Sequence, residues 1–276
     1  MTDVMAQSPR PDQGAELAKR LVSGIVLAVL AVGTALVGGW FFKGFVLLLG
    51  LGVAWEWFEM TRSAGRWAAC AAVVAVWFAL AWHGSIVLAL YCAVMGAVGT
   101  AMFALFGRGG EGGGWSAGGA LYATLPLAAM LWMQGGEGGS FIILWLFAVV
   151  WFSDIGAFAV GRTVGGAKLA PAISPSKTWS GAVGGLLSSA LFGATLAPFL
   201  LDCGMLAGAL MAALVGIAAQ IGDLLESWVK RRWNAKDSGK LIPGHGGLMD
   251  RLDSLAVAAP VFALIVLAGL MSGGQG

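Results

Sequence analysis

Long apolar segments follow one another along almost the whole chain, separated by short polar or glycine-rich stretches. Nine such segments cover about residues 21–38, 41–60, 66–83, 86–107, 116–134, 140–162, 178–201, 204–229 and 251–271. A helix of about 20 residues is long enough to cross a hydrocarbon core of roughly 30 Å. The pattern therefore predicts an all-α integral membrane protein, a polytopic bundle of about nine transmembrane helices.

Composition agrees with this pattern. The chain is 59% hydrophobic and only 11% charged, whereas about 25% of the residues of a soluble globular protein are charged. The composition thus excludes an ordinary soluble domain. The three cysteines form no CxxC or Cys/His pattern, and Cys203 is placed in an outer turn. They are interpreted as packing residues rather than as ligands or disulfide partners.

The basic residues predict the orientation. With nine spans and a cytoplasmic N-terminus, all of the 16 Lys and Arg residues except Lys43 fall on the inner side. Lys and Arg are retained on the cytoplasmic side of a bacterial inner membrane. The distribution therefore predicts that a basic surface of the protein faces the cytoplasm.

The distribution of polar residues divides the chain into three parts. Residues 1–20 are predicted as a disordered cytoplasmic tail, and residues 21–138 as a scaffold of N-terminal helices with few ionisable groups. Residues 139–276 are predicted as the catalytic region, with inner loops at 163–177 and 230–250. Glu56 and Glu59 are interpreted as the interfacial end of the second helix, with their roles left open.

Carboxylates recur near the inner ends of three C-terminal spans. Asp154 lies late in the sixth span, and Asp223 lies on the same helical face as Lys230 in the eighth. Asp250 and Asp253 begin the ninth span. Charged groups inside a membrane are costly and functional by default. We therefore expect the three helices to bring these carboxylates to one depth.

The same inner segments are rich in groups that bind phosphate. The stretch from Ser227 to Asp253 is strongly basic and contains a Pro-Gly-His-Gly-Gly turn. Ser174 to Thr178 place hydroxyls and Lys177 at the start of the seventh helix, and helix N-termini bind anions. Magnesium is commonly held by one or two carboxylates together with substrate phosphates. The pattern thus predicts a site for a metal bound to a polyphosphate.

The motifs in these segments resemble those of the phosphatidate cytidylyltransferases. The match runs through Ser227, Lys230-Arg231, Lys236-Asp237, Gly239, Ile242-Pro243, His245-Gly246-Gly247 and Asp250-Arg251-Leu252-Asp253. Upstream, Ser153-Asp154-Ile155-Gly156-Ala157, Gly161-Arg162, Ser174-Pro175-Ser176-Lys177-Thr178 and Gly222-Asp223-Leu224-Leu225-Glu226-Ser227 are similar to further shared segments. The first half resembles the family only in hydropathy and at Trp55-Glu56-Trp57.

The resemblance implies a membrane enzyme that joins CTP to phosphatidic acid, giving CDP-diacylglycerol and pyrophosphate. The lipid phosphate is already an anionic nucleophile, so the site has to position it and neutralise charge. The expected metal ligands are Asp223 and Asp250, with Asp154 and Asp253 as further ligands or supporting groups. The expected catalytic residues are Asp223, Asp250, Lys236 and Lys177. The expected phosphate contacts are Ser174, Lys177, Thr178, Ser227, Lys230, Arg231, Lys236, His245, Gly246, Gly247 and Arg251.

Several alternatives stay open at this point. A CTP-dependent polyprenol or phytol kinase would use a similar polyphosphate site but would need a general base for its neutral acceptor. A transporter of anionic lipids would place its charges nearer the midplane. The expected cofactor is Mg²⁺, with a second cation left open. Small residues in the helices leave open a homodimer.

Overall fold

The computed structural model describes residues 13–106, 112–239, 241–242 and 246–269, with side chains from residue 22 onward. Nine helices and one small hairpin occur in these ranges. They are α1 (Gln13–Val37), α2 (Gly39–Thr61), α3 (Arg66–Ala81), α4 (Ile86–Phe106), α5 (Gly113–Gln134), α6 (Gly139–Thr163), β1 (Lys168–Ala170), β2 (Ser174–Thr178), α7 (Trp179–Leu200), α8 (Met205–Arg232) and α9 (Met249–Leu267).

The helices follow the predicted apolar segments, with differences at their ends. Helix α1 begins at Gln13, so part of the predicted tail of residues 1–20 is helical. Helix α8 continues to Arg232 and α9 begins at Met249, which shortens the predicted inner loop 230–250 at both ends. The other inner loop contains the antiparallel β1–β2 hairpin, in which Lys168 pairs with Thr178. The period of the apolar residues did not predict this hairpin.

The outer surface of the bundle is apolar. Val87, Phe106 and Phe199 are 76%, 82% and 83% exposed. Within the described residues, six helices are long and apolar enough to cross a membrane, namely α2, α4, α5, α6, α7 and α8. Large apolar side chains on this scale require lipid around them rather than water. The chain is therefore an all-α, multi-pass membrane protein.

Two groups of helices pack against each other. Helices α2 to α5 form one group, α6 to α9 form the other, and α9 contacts both α5 and α2. Trp145 of α6 is fully buried, donates a hydrogen bond from Nε1 to the Gly193 carbonyl of α7 (3.0 Å), and stacks on Phe262 of α9. These contacts fix α6, α7 and α9 relative to one another.

Small residues form the contact between α6 and α7. A Cβ added at Gly156 would meet the Ser188 side chain, and one at Gly184 would meet Val160. Small residues let helix backbones approach closely within membranes. Gln220 of α8 donates from Nε2 to the Ala182 carbonyl of α7 (3.1 Å). This packing brings the C-terminal half of α8 next to the C-terminal end of α6 and the N-terminal end of α7.

Candidate active site

A cavity of about 720 Å³ lies among the C-terminal ends of α6 and α8, the N-terminal ends of α7 and α9, and the β1–β2 hairpin. Four carboxylates line it: Asp154, Asp223, Asp250 and Asp253. Four cationic side chains line it as well: Arg162, Lys168, Lys177 and Arg251. The structure thus places all four predicted metal ligands on one cavity wall, although they come from three separate helices.

Lys177 and Asp223 form an ion pair across this cavity. The Lys177 Nζ lies 2.5 Å from Asp223 Oδ2, and the two side chains are 22% and 34% exposed. Lys177 stands near the end of β2, immediately before α7, while Asp223 lies in the inner part of α8. The pair therefore holds the hairpin against α8. It also shows that the position beside Asp223 suits a positive charge.

Ser254 forms hydrogen bonds to both Asp154 and Asp253. The Ser254 hydroxyl donates to Asp154 Oδ1 at 3.4 Å, and the Ser254 backbone N–H donates to Asp253 Oδ1 at 2.7 Å. The Ser227 hydroxyl donates to Asp223 Oδ1 at 3.5 Å, so Ser227 supports a carboxylate of the cavity. Asp154, Asp223 and Asp253 all line the cavity.

Asp250 has a different environment. Its Oδ2 accepts hydrogen bonds from the Ser238 N–H (2.9 Å) and the Gly247 N–H (2.8 Å), and it lies 3.0 Å from the Ser238 hydroxyl, whose single proton is shared between Asp250 and Glu56. Its Oδ1 lies 2.7 Å from the Nζ of Lys230, which also lies 2.7 Å from Oε2 of the buried Glu226. Both Asp250 oxygens are therefore engaged, and they hold Ser238 and Gly247 to the start of α9 and to Lys230 of α8.

The carboxylates of the cavity fit a divalent cation that is shared with a substrate. Among the described residues, no group of three or more Asp, Glu, His or Cys side chains is arranged to hold a metal ion by itself. Magnesium, however, is usually bound by one or two carboxylates, water and substrate phosphates. The Lys177 ammonium beside Asp223 occupies a place where such a cation would be stabilised. The geometry suits a metal that arrives with a polyphosphate.

Other predicted phosphate contacts lie at varied distances from the cavity. Thr178 lines it, but its Oγ1 accepts the Gly181 N–H (3.1 Å) and so caps the start of α7. The Arg231 Nε–H donates to the Ile173 carbonyl (3.2 Å), which ties the hairpin to α8. Six further predicted phosphate contacts are described by the structure but do not line the cavity: Ser174, Ser227, Lys230, Lys236, Gly246 and Gly247. His245 lies outside the described residues.

A second cavity, of about 310 Å³, adjoins the first. Its wall is mainly apolar and comes from α1, α2, α6 and α9, including Leu27, Phe45 and Phe147. The two cavities share four lining residues: Asp154, Asp250, Arg251 and Asp253. A charged space and an apolar space therefore meet at the same carboxylates.

Known proteins share these features of sequence. The profile of the cytidylyltransferase family matches residues 18–268. The chain belongs to this family. It is 40% identical over 257 residues to the phosphatidate cytidylyltransferase of Brucella suis, covering 90% of this chain and 92% of that protein. It is 31% identical over 261 residues to the Rickettsia bellii phosphatidate cytidylyltransferase, covering 92% of each chain. The match includes the N-terminal helices, whose likeness to the family was predicted mainly from hydropathy.

Two buried polar residues connect to the cavity in a way that the sequence analysis did not predict: Glu56, whose role it left open, and Ser238, which it did not name. Glu56 of α2 is 1% exposed, and its carboxylate accepts from the Leu248 N–H, the Met249 N–H and the Ser238 hydroxyl. Ser238 is 4% exposed and lies 3.0 Å from both the Glu56 and the Asp250 carboxylates. The signals in the sequence were an acidic residue near a helix end and the family resemblance at Trp55-Glu56-Trp57, and neither reveals a partner almost 200 residues away.

Proposed function

We propose that this member of the cytidylyltransferase family transfers the cytidylyl group of CTP to phosphatidic acid, giving CDP-diacylglycerol and pyrophosphate. The observation that carries the proposal is the junction of the two cavities at Asp154, Asp250, Arg251 and Asp253. A reaction between a water-soluble polyphosphate and a lipid phosphate requires such a meeting of charged and apolar space. The named activity of the Brucella and Rickettsia relatives supports it.

The chemistry follows from the charges of the reactants. A lipid phosphate oxygen attacks the α-phosphorus of CTP, and the bond from that phosphorus to the bridging oxygen of pyrophosphate breaks. The nucleophile is already ionised, so the reaction needs orientation and charge neutralisation rather than a strong base. Lys177, Lys168, Arg162 and Arg251 surround the larger cavity and supply that positive charge.

Magnesium is the proposed cofactor, and the cavity leaves a second cation open. Asp223, with Asp154 and Asp253, would hold the metal, which would neutralise the phosphate oxygens of CTP. Asp250 would contribute from the rim of the cavity, where Lys230 and Ser238 hold it in place. A metal bound to Asp223 would compete with the Lys177 ammonium for that carboxylate. Lys177 would then be available to contact substrate phosphate. Lys236 and His245 remain proposed phosphate contacts.

The proposed topology has nine spans with the N-terminus in the cytoplasm of a bacterium and the active site at the cytoplasmic edge of its inner membrane. The inner ends of α6 and α8 and the first turns of α7 and α9 meet at the larger cavity. The segregation of Lys and Arg to this side supports the orientation. A homodimer is compatible with the small residues of the helices.

Isotopic labelling tests the reaction directly. Purified protein in detergent would be given phosphatidic acid, magnesium and CTP labelled at either the α- or the γ-phosphate. We expect α-label to enter the lipid fraction and γ-label to leave as pyrophosphate. Transfer of γ-label to lipid would instead indicate a kinase. Transfer of neither label by a well-folded preparation would refute both reactions.

A further inference from the structure

We infer that Glu56 is a positioning residue, which fixes the first turn of α9 and the 237–239 loop so that the active-site groups on α9 face the cavity. Glu56 lies in α2, which belongs to the first group of helices. The residues that it holds belong to the start of α9 and the loop before it, in the second group. The inference rests on the proposed function, because it concerns the same reaction.

Two backbone N–H groups and one hydroxyl lie within hydrogen-bond distance of the Glu56 carboxylate. Oε1 accepts the Leu248 N–H at 2.8 Å, and Oε2 accepts the Met249 N–H at 2.8 Å and the Ser238 hydroxyl at 3.0 Å. A buried carboxylate is costly unless hydrogen bonds satisfy it. The partial positive charge of a helix N-terminus adds to its stabilisation.

Helix α9 depends on this carboxylate for its cap. Its own N-cap residue, Leu248, provides no side-chain hydrogen bond to the helix. The first N–H groups of a helix lack partners within the helix, and Glu56 takes two of them. A residue of α2 thereby fixes the height and rotation of the turn that carries Asp250, one residue past Met249 and one before Arg251.

The neighbouring glycines show how closely the loop fits around Glu56. A Cβ at Gly239 would meet Glu56 Oε1, and a Cβ at Gly247 would lie 2.5 Å from Glu56 Oε2. Both glycines belong to the segment between α8 and α9, whose backbone therefore comes against the carboxylate. Ser238 precedes Gly239, and its hydroxyl lies next to Gly247 and within 3.0 Å of Asp250 Oδ2. The Ser238 hydroxyl therefore connects Glu56 directly to Asp250, a residue that lines the cavity.

The experiment compares Glu56→Gln with Glu59→Gln in the purified full-length protein. Either orientation of the Gln amide turns its NH₂ toward a backbone N–H donor, since each Glu56 oxygen accepts one. Glu59 is exposed on the same helix end and, among the residues that the structure describes, accepts from Trp55 Nε1 alone, at 3.1 Å, so its variant is the matched control. Groups that orient a metal site typically matter by about 10- to 100-fold.

We expect Glu56→Gln to lower kcat by about 10- to 100-fold and to raise the magnesium concentration needed for half-maximal activity. Backbone amides of residues 247–250 should exchange hydrogen faster than in wild type, with Glu59→Gln unchanged in both measurements. Ser238→Ala keeps the Glu56 carboxylate and removes one of the three donors around it, so the effects of this variant should be smaller than those of Glu56→Gln.

Two results would overturn the inference. One is a Glu56→Gln protein with wild-type kinetics and exchange. The other is an activity loss that merely follows the fraction of folded protein, with wild-type magnesium dependence and exchange at residues 247–250, since that marks a purely structural role. Failure of wild type to transfer label would instead refute the proposed function, whereas the exchange comparison tests the Glu56 contact without any turnover.

Discussion

The carboxylates of the cavity have different neighbours, and these neighbours separate their roles. Asp223 pairs with the partly exposed Lys177, and an exposed ion pair contributes little to stability, about 1 kcal/mol or less. Asp250 accepts two backbone N–H groups and shares the Ser238 hydroxyl with Glu56 on one oxygen, and it pairs with the Lys230 ammonium through the other. In the sequence, Asp223 and Asp250 are two similar residues near helix ends. In the structure, only Asp250 of these two binds the backbone at Ser238 and Gly247.

Substitution of these two residues should separate activity from stability. We expect Asp223→Asn to reduce kcat/KM by more than tenfold, a loss above about 1.4 kcal/mol, with little change in Tm. Asp250→Asn should reduce both activity and Tm, because it weakens hydrogen bonds to a charged acceptor worth about 1.5–3 kcal/mol each. Thermal unfolding and kinetics on the same preparations measure both quantities.

The control is Asp202→Asn. Asp202 is an exposed carboxylate in the turn between α7 and α8, at the opposite end of the bundle, and its φ of 50° is tolerated by Asn. This variant should match wild type in both measurements. Equal Tm losses for Asp223→Asn and Asp250→Asn would contradict the distinction between the two carboxylates.

At the scale of elements, the close contact of α6 with α7 determines where Asp154 lies. Gly156 stands two residues after Asp154, and a Cβ there would lie 2.9 Å from the Gly184 carbonyl and would overlap the Ser188 side chain. No rotamer change can relieve a contact with backbone. The approach of the two helices therefore depends on a residue without a side chain.

Gly156→Ala should push α6 away from α7 and displace Asp154 from the cavity. We expect a loss of stability of about 1–3 kcal/mol, typical of overpacking, together with reduced activity. Gly99→Ala is the matched control, because this exposed helical glycine of α4 has nothing within 4 Å of an added Cβ. Unchanged Tm and activity in Gly156→Ala would show that the helices are not held this closely.

At the scale of the whole molecule, the number of spans rests on helices of unequal length. Helix α3 has 16 residues, about 24 Å at 1.5 Å per residue, which is shorter than a typical hydrocarbon core of roughly 30 Å. The side of the membrane on which the α3–α4 turn lies therefore depends on whether α3 crosses. His83 stands in that turn and is exposed.

Cysteine labelling on intact cells can measure this topology. The native Cys203 is a poor reporter, because it is only 6% exposed and because burial, with Asp202 nearby, raises the pKa of its thiol. In a cysteine-free background, His83→Cys and Asp202→Cys should react with a membrane-impermeant maleimide from outside. Ala172→Cys, exposed in the β1–β2 turn, should react only after permeabilisation. Protection of His83→Cys in intact cells would contradict a spanning α3.

The sequence by itself determined the class of the molecule and the parts of its chemistry that depend on residue type. Runs of apolar residues specify helices in lipid because every backbone group must be satisfied within the segment, and the helices indeed follow those runs. The motifs around Asp154, Lys177, Asp223 and Asp250 indicated the family to which the chain belongs. These signals are local, so they can be seen along the sequence.

Only the tertiary structure decided which groups face each other. The pairing of Lys177 with Asp223, the full engagement of Asp250, and the reach of Glu56 to the start of α9 all join residues from different helices. Such contacts depend on helix rotation and on close approach at Gly156 and Gly247. Neither apolar period nor charge spacing encodes these, because a side chain's partner is set by packing rather than by its position in the chain.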